Sequence, residues 1–231
     1  MLTVEQYAKK FDMAVLAQNT QEAAIREACA TARRYNLAAL YTTPCWSSIV
    51  AAELKGTDVR AGVGIGFPYG TSTSRTKFFE IEETLGMGCT AIDMVINIGA
   101  LKDKNYTLVK KEIQELVNLC DRKALAKVIY EVCFLAEEEI AALTQICCEC
   151  GVDYLKTATG TQGFPDVTHV KLMKKYLTGA KTKLKLSGVP RTFTLAATLW
   201  MLDMGVELIG TRSAAKLVDE YREYLNRRHE N

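Results

Sequence analysis

Histidine is nearly missing from this chain: His169 and His229 are the only two among 231 residues. Metal-dependent aldolases and hydrolases usually assemble histidine clusters, so a metal route is disfavoured and no metal is expected. Charge of one sign is also missing. Lys and Arg number 29 against 27 Asp and Glu, a net +2, which argues against a field suited to nucleic acid or an anionic membrane and leaves small molecules as the expected partners. No window approaches the ~18 to 20 apolar residues of a membrane span. With 4 prolines and no polar low-complexity stretch, nothing reads as a linker, and residues 1–231 are expected to form one domain. The opening "MLTVEQYAKKFDMAVL" lacks the apolar run of a secretory signal, so it reads as mature protein. Eight cysteines without such a signal predict reduced thiols and a cytoplasmic location. "CCEC" (Cys147, Cys148, Cys150) has no second pair to match it. Helical spacing puts Cys147 and Cys150 on an apolar face with Ile140 and Leu143, with Cys148 further out.

What is present is alternation. Short apolar or β-branched runs, "FDMAVL", "LAALYT", "VRAGVGIGF", "CTAIDMVIN", "LAKVIYEV", "VDYLK", "TKLKLS" and "VELIG", read as eight strands. Amphipathic helices separate them. Val109, Ile113, Leu116, Val117 and Cys120 repeat along one helical face, as do Ala214, Leu217, Val218, Tyr221 and Leu225. Asn19 or Thr20 is the expected cap of the first of these helices, Pro165 and Asp166 start another, and Gly86, Gly151 and Gly205 fall where helices should stop. Eight strands and eight helices predict an α/β fold, a (β/α)8 barrel, with a short N-terminal helix before strand one. An open doubly wound sheet is the alternative, but "FDMAVLAQNT" lacks its glycine-rich phosphate turn.

Barrel chemistry sits at the C-terminal strand ends. Three polar residues are expected there: Asp93 in "AIDMVIN", Lys156 ending "VDYLK", and Lys185 in "TKLKLSG". Lysines at matching heights on strands ~4.8 Å apart interact. Like charge and desolvation would lower the proton affinity of one of them, leaving a neutral amine able to form a Schiff base, with Asp93 shuttling protons. Lys181 and Lys183 share the parity of Lys185, and a basic strand edge is the competing use of all three; Asp93 could equally cap backbone N–H groups. "SGVPRT" and "GTRSAA" follow strands seven and eight, where barrels hold phosphate, and Arg191 and Arg212 could add guanidinium contacts.

"IGFPYGTSTSRTKFFEIEETLGMGCTAIDMVINIGALK", "KVIYEVCFLAEEEI", "VDYLKTATG", "LKLSGVPRT" and "ELIGTRS" resemble, in order and spacing, the deoxyribose-phosphate aldolases, class I (β/α)8 enzymes. The resemblance covers roughly residues 11 to 215. It implies that Lys156 forms the Schiff base, that Asp93 relays protons and that Lys185, rather than Lys183, perturbs Lys156. It further implies Asp12, Thr157, Gly160, Gly188, Arg191, Gly210, Arg212 and Ser213 as contacts for a sugar-phosphate substrate, with no organic cofactor. The implied reaction is reversible cleavage of 2-deoxyribose 5-phosphate to acetaldehyde and glyceraldehyde 3-phosphate. A different acidic aldol substrate and a non-catalytic sugar-phosphate-binding barrel are the alternatives, and a homodimer is among the expectations. Three departures fall on substrate contacts. The first strand reads Asp12-Met13-Ala14-Val15-Leu16-Ala17-Gln18 where the family has Asp-His-Thr-Leu-Leu-Lys-Pro, Val189-Pro190 replaces a glycine and an aliphatic residue, and Arg212 replaces a serine.

Overall fold

Successive strand residues face opposite ways, so a strand buried on both sides must satisfy two environments at once. The computed structural model, which describes residues 1–179, 181–190 and 192–229, resolves this with eight parallel strands closed into a barrel in chain order. They are β1 (Phe11–Ala14), β2 (Ala39–Thr42), β3 (Arg60–Ile65), β4 (Ala91–Val95), β5 (Leu125–Ile129), β6 (Tyr154–Lys156), β7 (Lys183–Ser187) and β8 (Leu208–Gly210). Pairing of Phe11 with Ile209 and Asp12 with Gly210 completes the ring.

One parity of each strand looks outward. Val63, Ile65, Ile92, Met94, Ala126, Val128 and Leu155 join one apolar cluster with the inner helix faces, and Leu40, Leu186 and Ile209 join another. The other parity lines the lumen. There Ala39, Tyr41 and Ala91 form a small cluster against Ala14 and Leu125, while Asp12, Asp93, Lys127, Lys156 and Lys185 meet as ion pairs. The apolar mass of the protein therefore lies between strands and helices, and the lumen is polar.

A helix follows each strand: α2 (Glu22–Tyr35), α3 (Ser47–Leu54), α4 (Ser74–Gly86), α6 (Tyr106–Cys120), α7 (Glu137–Cys150), α8 (Val167–Tyr176), α9 (Leu195–Asp203) and α10 (Ala214–His229). Two more are added, α1 (Val4–Ala8) before β1 and α5 (Ile98–Lys102) between β4 and α6. The helix after β2 forms from "SSIVAAEL", beyond a 3-10 turn at Pro44–Trp46. Val109, Ile113, Leu116 and Cys120 of α6 are buried as their spacing requires, and so are Ala214, Leu217, Val218 and Tyr221 of α10. Cys147 and Cys150 lie inside the apolar cluster with Ile140 and Leu143, and Cys148 is half-buried. Tyr7 of α1 stacks on Tyr221 at 4.1 Å between ring centroids, tying the chain's first turn to its last helix.

The helix boundaries differ from expectation in one place. Neither Asn19 nor Thr20 caps α2; Gln21 occupies the cap position without a side-chain bond, because the Thr20 hydroxyl is spent on Ala17 O within the preceding turn. Gly86 ends α4 as expected, with the left-handed backbone following at Gly88. Asp166 does cap α8, donating nothing but accepting from Thr168 N and His169 N. His169 Nδ1 in turn accepts the Asp166 N–H, which accounts for the only histidine inside the barrel's helical layer whose side chain is described. Among the described residues, no helix is long and apolar enough to cross a membrane.

Candidate active site

Five lumen side chains from five strands form one continuous chain of charge. Lys127 Nζ lies 2.9 Å from Asp12 Oδ2. That oxygen is 2.7 Å from Lys185 Nζ, which is also 2.7 Å from Asp93 Oδ2. Lys156 Nζ completes the row at 2.9 Å from the same Asp93 oxygen. Lys156 is 6 % exposed, the most of the five, and Asp93 is fully buried beneath it. The row ends at the mouth with the amine that a ligand can reach.

Only Lys156 is the final residue of its strand; Asp93 and Lys185 are each the third of five. The expectation of three strand ends is corrected accordingly. Strand pairing sets Lys156 directly beside Lys185 and Asp93 beside Lys127, and the ion pairs join the two couples. Lys183 and Lys181 are exposed, so the basic edge exists but begins below Lys185 and does not include it.

The electrostatics follow from three ammoniums sharing two carboxylates in a closed space. Burial is the largest influence on Lys156, and the neighbouring Lys185 and Lys127 reinforce it against the pull of Asp93, lowering its pKa to about 8. Desolvation thus leads and like charge follows, the reverse of the emphasis that two adjacent lysines suggest. Burial also works against the Lys185 ammonium, but Asp12 and Asp93 together outweigh it and raise its pKa. Lys127, with Asp12 as its one direct partner, is lowered by burial and by Lys185. Burial favours the neutral acids, yet the lysines overcome it, and Asp93 and Asp12 are both held below the ordinary carboxylate range. The set therefore contains one amine easily freed of its proton beside one cation that keeps it.

Above the row opens a cavity of about 270 Å³ with Lys156, Lys185 and Asp12 in its floor. Gly160, Gly188, Gly210, Arg212 and Ser213 are in its wall. Two of these glycines are dictated by contact. Gly160 and Gly188 have φ +83° and +80°, and a Cβ on Gly160 would lie 2.8 Å from Gly188 Cα, so the loops after β6 and β7 can touch only as glycines. Arg212 is exposed at the rim, just before the N-terminus of α10, whose free N–H groups favour an anion. Arg191 lies outside the described residues. Thr157 is a correction: its hydroxyl donates to Ser187 O at 2.7 Å and accepts from Ser187 N at 2.9 Å, so it pins the two loops together and does not line the cavity.

Three contributors escaped the sequence reading. Lys127 sits in the middle of "LAKVIYEV", and a lysine flanked by apolar residues on a central strand was a signal of the same kind as Asp93. Tyr41 lies under the amines, its ring centroid 3.9 Å from Lys185 Nζ; an aromatic in a strand is too ordinary to signal this. Glu131 follows β5 in a left-handed backbone, φ 56°, and its buried carboxylate accepts from Thr159 N at 3.2 Å and from the Thr159 hydroxyl. It seats the loop that carries Gly160. Among the described residues no group of three His, Cys, Asp or Glu side chains could hold a metal ion.

Residues 7–205 match the family model described as DeoC/LacD family aldolase. A deoxyribose-phosphate aldolase of Clostridium tetani is 39% identical over 213 residues, 92% of this chain and 97% of the relative. One from Clostridium novyi is also 39% identical, over 91% of this chain and 94% of its own length. A crystal structure from Coccidioides immitis, provisionally named a deoxyribose-phosphate aldolase, superposes with a TM-score of 0.88 at 31% identity, covering 96% of this chain and 87% of that one.

Proposed function

Because the chain belongs to the DeoC/LacD family of aldolases, we propose that it is a class I deoxyribose-phosphate aldolase with Lys156 as its Schiff-base lysine. The observation that carries the assignment is the single oxygen, Asp93 Oδ2, shared by the Lys156 and Lys185 ammoniums at 2.9 and 2.7 Å. An amine with a pKa of about 8 is neutral in roughly a tenth of molecules at pH 7, against about 0.03% for an ordinary lysine.

In the reaction, the neutral Lys156 attacks the aldehyde carbon of open-chain 2-deoxyribose 5-phosphate. Asp93 carries protons to and from the carbinolamine oxygen as water leaves and the iminium forms, while Lys185 keeps its proton and holds a positive charge beside the reacting nitrogen. Loss of the proton from the C3 hydroxyl then breaks the C2–C3 bond, releasing glyceraldehyde 3-phosphate and leaving an enamine on Lys156. Protonation of the enamine and hydrolysis release acetaldehyde. Asp12 holds Lys185 and Lys127 in place from the far side. Gly188, Gly210, Arg212, Ser213 and the start of α10 take the phosphate, and Arg212 supplies by charge what Pro190 cannot donate.

A second reading, a different acceptor aldehyde, is favoured by Ala14, Leu16, Phe67, Val189 and Pro190, which give the cavity an apolar side. The deciding assay measures acetaldehyde release from 2-deoxyribose 5-phosphate and from 2-deoxyribose, beside a Lys156→Ala control. Release from neither sugar by folded wild type would remove the proposal; a preference for the unphosphorylated sugar would select the second reading. We extend the proposal to a cytoplasmic enzyme, in keeping with eight free thiols, and to a homodimer, which sedimentation velocity would report directly.

A further inference from the structure

Three buried ammoniums share two buried carboxylates in the lumen, so the row carries one more positive charge than negative inside a closed wall. One side chain touches all three cations. The ring of Tyr41 has its centroid 3.9 Å from Lys185 Nζ, 5.1 Å from Lys127 Nζ and 5.7 Å from Lys156 Nζ. An aromatic face carries negative potential, and its attraction for a cation grows when water is excluded. Tyr41 is 3% exposed, so it acts here with little screening.

The strands around the ring are cut to receive it. Gly62, its neighbour on β3, would place a Cβ 2.7 Å from Tyr41 Cζ and 2.8 Å from both Cδ atoms, so only glycine leaves the ring its space. Ala39 and Ala91 pack on it with Ala14 nearby. Larger residues at these positions would fill the lumen as they do in an apolar barrel; here four small ones make a slot for one flat side chain. Tyr41 Oη and Asp93 Oδ1 are both buried without an aligned hydrogen-bond partner among the described residues, and burial together with the facing Asp93 and Asp12 charges keeps the phenol neutral. The hydroxyl faces the Asp93 carboxylate, and the ring is the part for which Gly62 leaves space.

We infer that Tyr41 is a positioning residue of the lysine row: its ring face acts as the third counter-group for three ammoniums and thereby sets the pH at which Lys156 gives up its proton. The inference rests on Lys156 being the amine that forms the imine. The groups facing that amine are Asp93 from β4, Lys185 from β7 and Lys127 from β5, with Glu131 acting from the loop after β5. Asp12 on β1 acts through Lys185, and Arg60 on β3 faces the phenol rather than the amine. β8 contributes only Leu208 and Gly210 to this parity. Asp93 and Glu131 hold the proton on; the two lysines drive it off; the ring holds it on.

The experiment follows imine trapping by cyanoborohydride and acetaldehyde from pH 6 to 10, read as the midpoint of the rate profile. Wild type is expected near pH 8, Tyr41→Phe within about 0.2 of it, and Tyr41→Leu lower by about 0.5. Gly62→Ala, which displaces the ring from the other side, shifts the midpoint in the same direction. Ring-fluorinated phenylalanines at position 41 keep shape while weakening the face, so the midpoint falls stepwise with each fluorine; this series decides should Tyr41→Leu not fold. A midpoint unmoved by fluorination, or a Tyr41→Phe shift as large as that of Tyr41→Leu, overturns the inference while leaving the Schiff base intact. Wild type that is trapped at no pH overturns the Schiff-base reading and takes this one with it.

Discussion

Replacing Lys185 by methionine tests the electrostatic account most directly. The side chain keeps its length, and the remaining charges balance: Lys127 still faces Asp12 at 2.9 Å and Lys156 still faces Asp93 at 2.9 Å. Two consequences push the same way. Lys156 loses a neighbouring ammonium, and Asp93, no longer divided between two cations, binds Lys156 alone. Both raise the proton affinity of Lys156 above its value of about 8. Return to an ordinary lysine would cut the neutral amine at pH 7 from roughly a tenth to about 0.03%, a ~300-fold loss. Burial persists in the variant, so a pKa of about 9 to 9.5 and a loss of roughly 10- to 30-fold are expected. The assay is the rate of reductive trapping with acetaldehyde at pH 7 and pH 10. At pH 10 the amine is largely neutral in both proteins, and the deficit should shrink to about twofold or less. An equal deficit at both values, or a midpoint that falls, would refute the idea that Lys185 acts through the charge of Lys156.

Lys156→Met should lose all trapping yet gain stability. The folded value of about 8 lies below the ordinary 10.5, so the unfolded chain holds more protons between those pH values and wild-type stability rises with pH across that window. Below pH 8 the buried ammonium costs about 1–3 kcal/mol; denaturant melts should find the variant more stable by that amount at pH 7, the gap closing by about pH 10.5. Gly160→Ala forces a φ of +83° on alanine and a 2.8 Å contact with Gly188 Cα. It should raise KM for the phosphorylated sugar about tenfold while trapping with acetaldehyde, which has no phosphate, changes less than threefold; equal losses in both would show that the loop serves the amine instead. Far from the cavity, Lys77 and Glu112 pair at 2.8 Å with 0% and 2% of their side chains exposed. Lys77→Met should cost about 3–5 kcal/mol by stranding Glu112, and adding Glu112→Leu should recover most of it with trapping unchanged throughout.

The barrel was legible because its signal is a repeated one: eight apolar runs became eight strands, and most of the periodic positions of α6 and α10 are buried, with Val117 and Leu225 half-buried at the edge. The reactive row was legible only in part. Asp93, Lys156 and Lys185 stood out as charges in apolar strands, but the assumption that function sits at strand ends concealed Lys127, which is interior by the same measure as Asp93. Parity was the better guide. Asp12, Tyr41, Asp93, Lys127, Lys156 and Lys185 all occupy the lumen-facing phase of their strands, and the register of pairing, which no single strand encodes, sets Asp93 beside Lys127 and Lys156 beside Lys185. Thr157 shows the opposite limit. The family resemblance implied a substrate contact, and only the approach of β7 reveals that Ser187 takes both capacities of its hydroxyl.

That division between floor and rim explains how this chain can depart from its relatives without losing their chemistry. The charged row is carried on strand residues locked by barrel closure, each held by a neighbour's opposite charge. Ala14, Val189, Pro190 and Arg212 line the cavity above it, and among the described residues no side-chain hydrogen bond or ion pair links any of them to the row. A change at the rim alters which oxygen or carbon a substrate presents to the wall; a change in the floor alters which nitrogen carries a proton. The charges that act on Lys156 come from Asp93, Lys185 and Lys127, so valine in place of glycine at position 189 alters none of them. Under the proposed function, specificity and imine formation rest on separate contacts, and variants of Arg212 should alter discrimination between phosphorylated and unphosphorylated sugars while the pH midpoint of trapping stays where the lumen sets it.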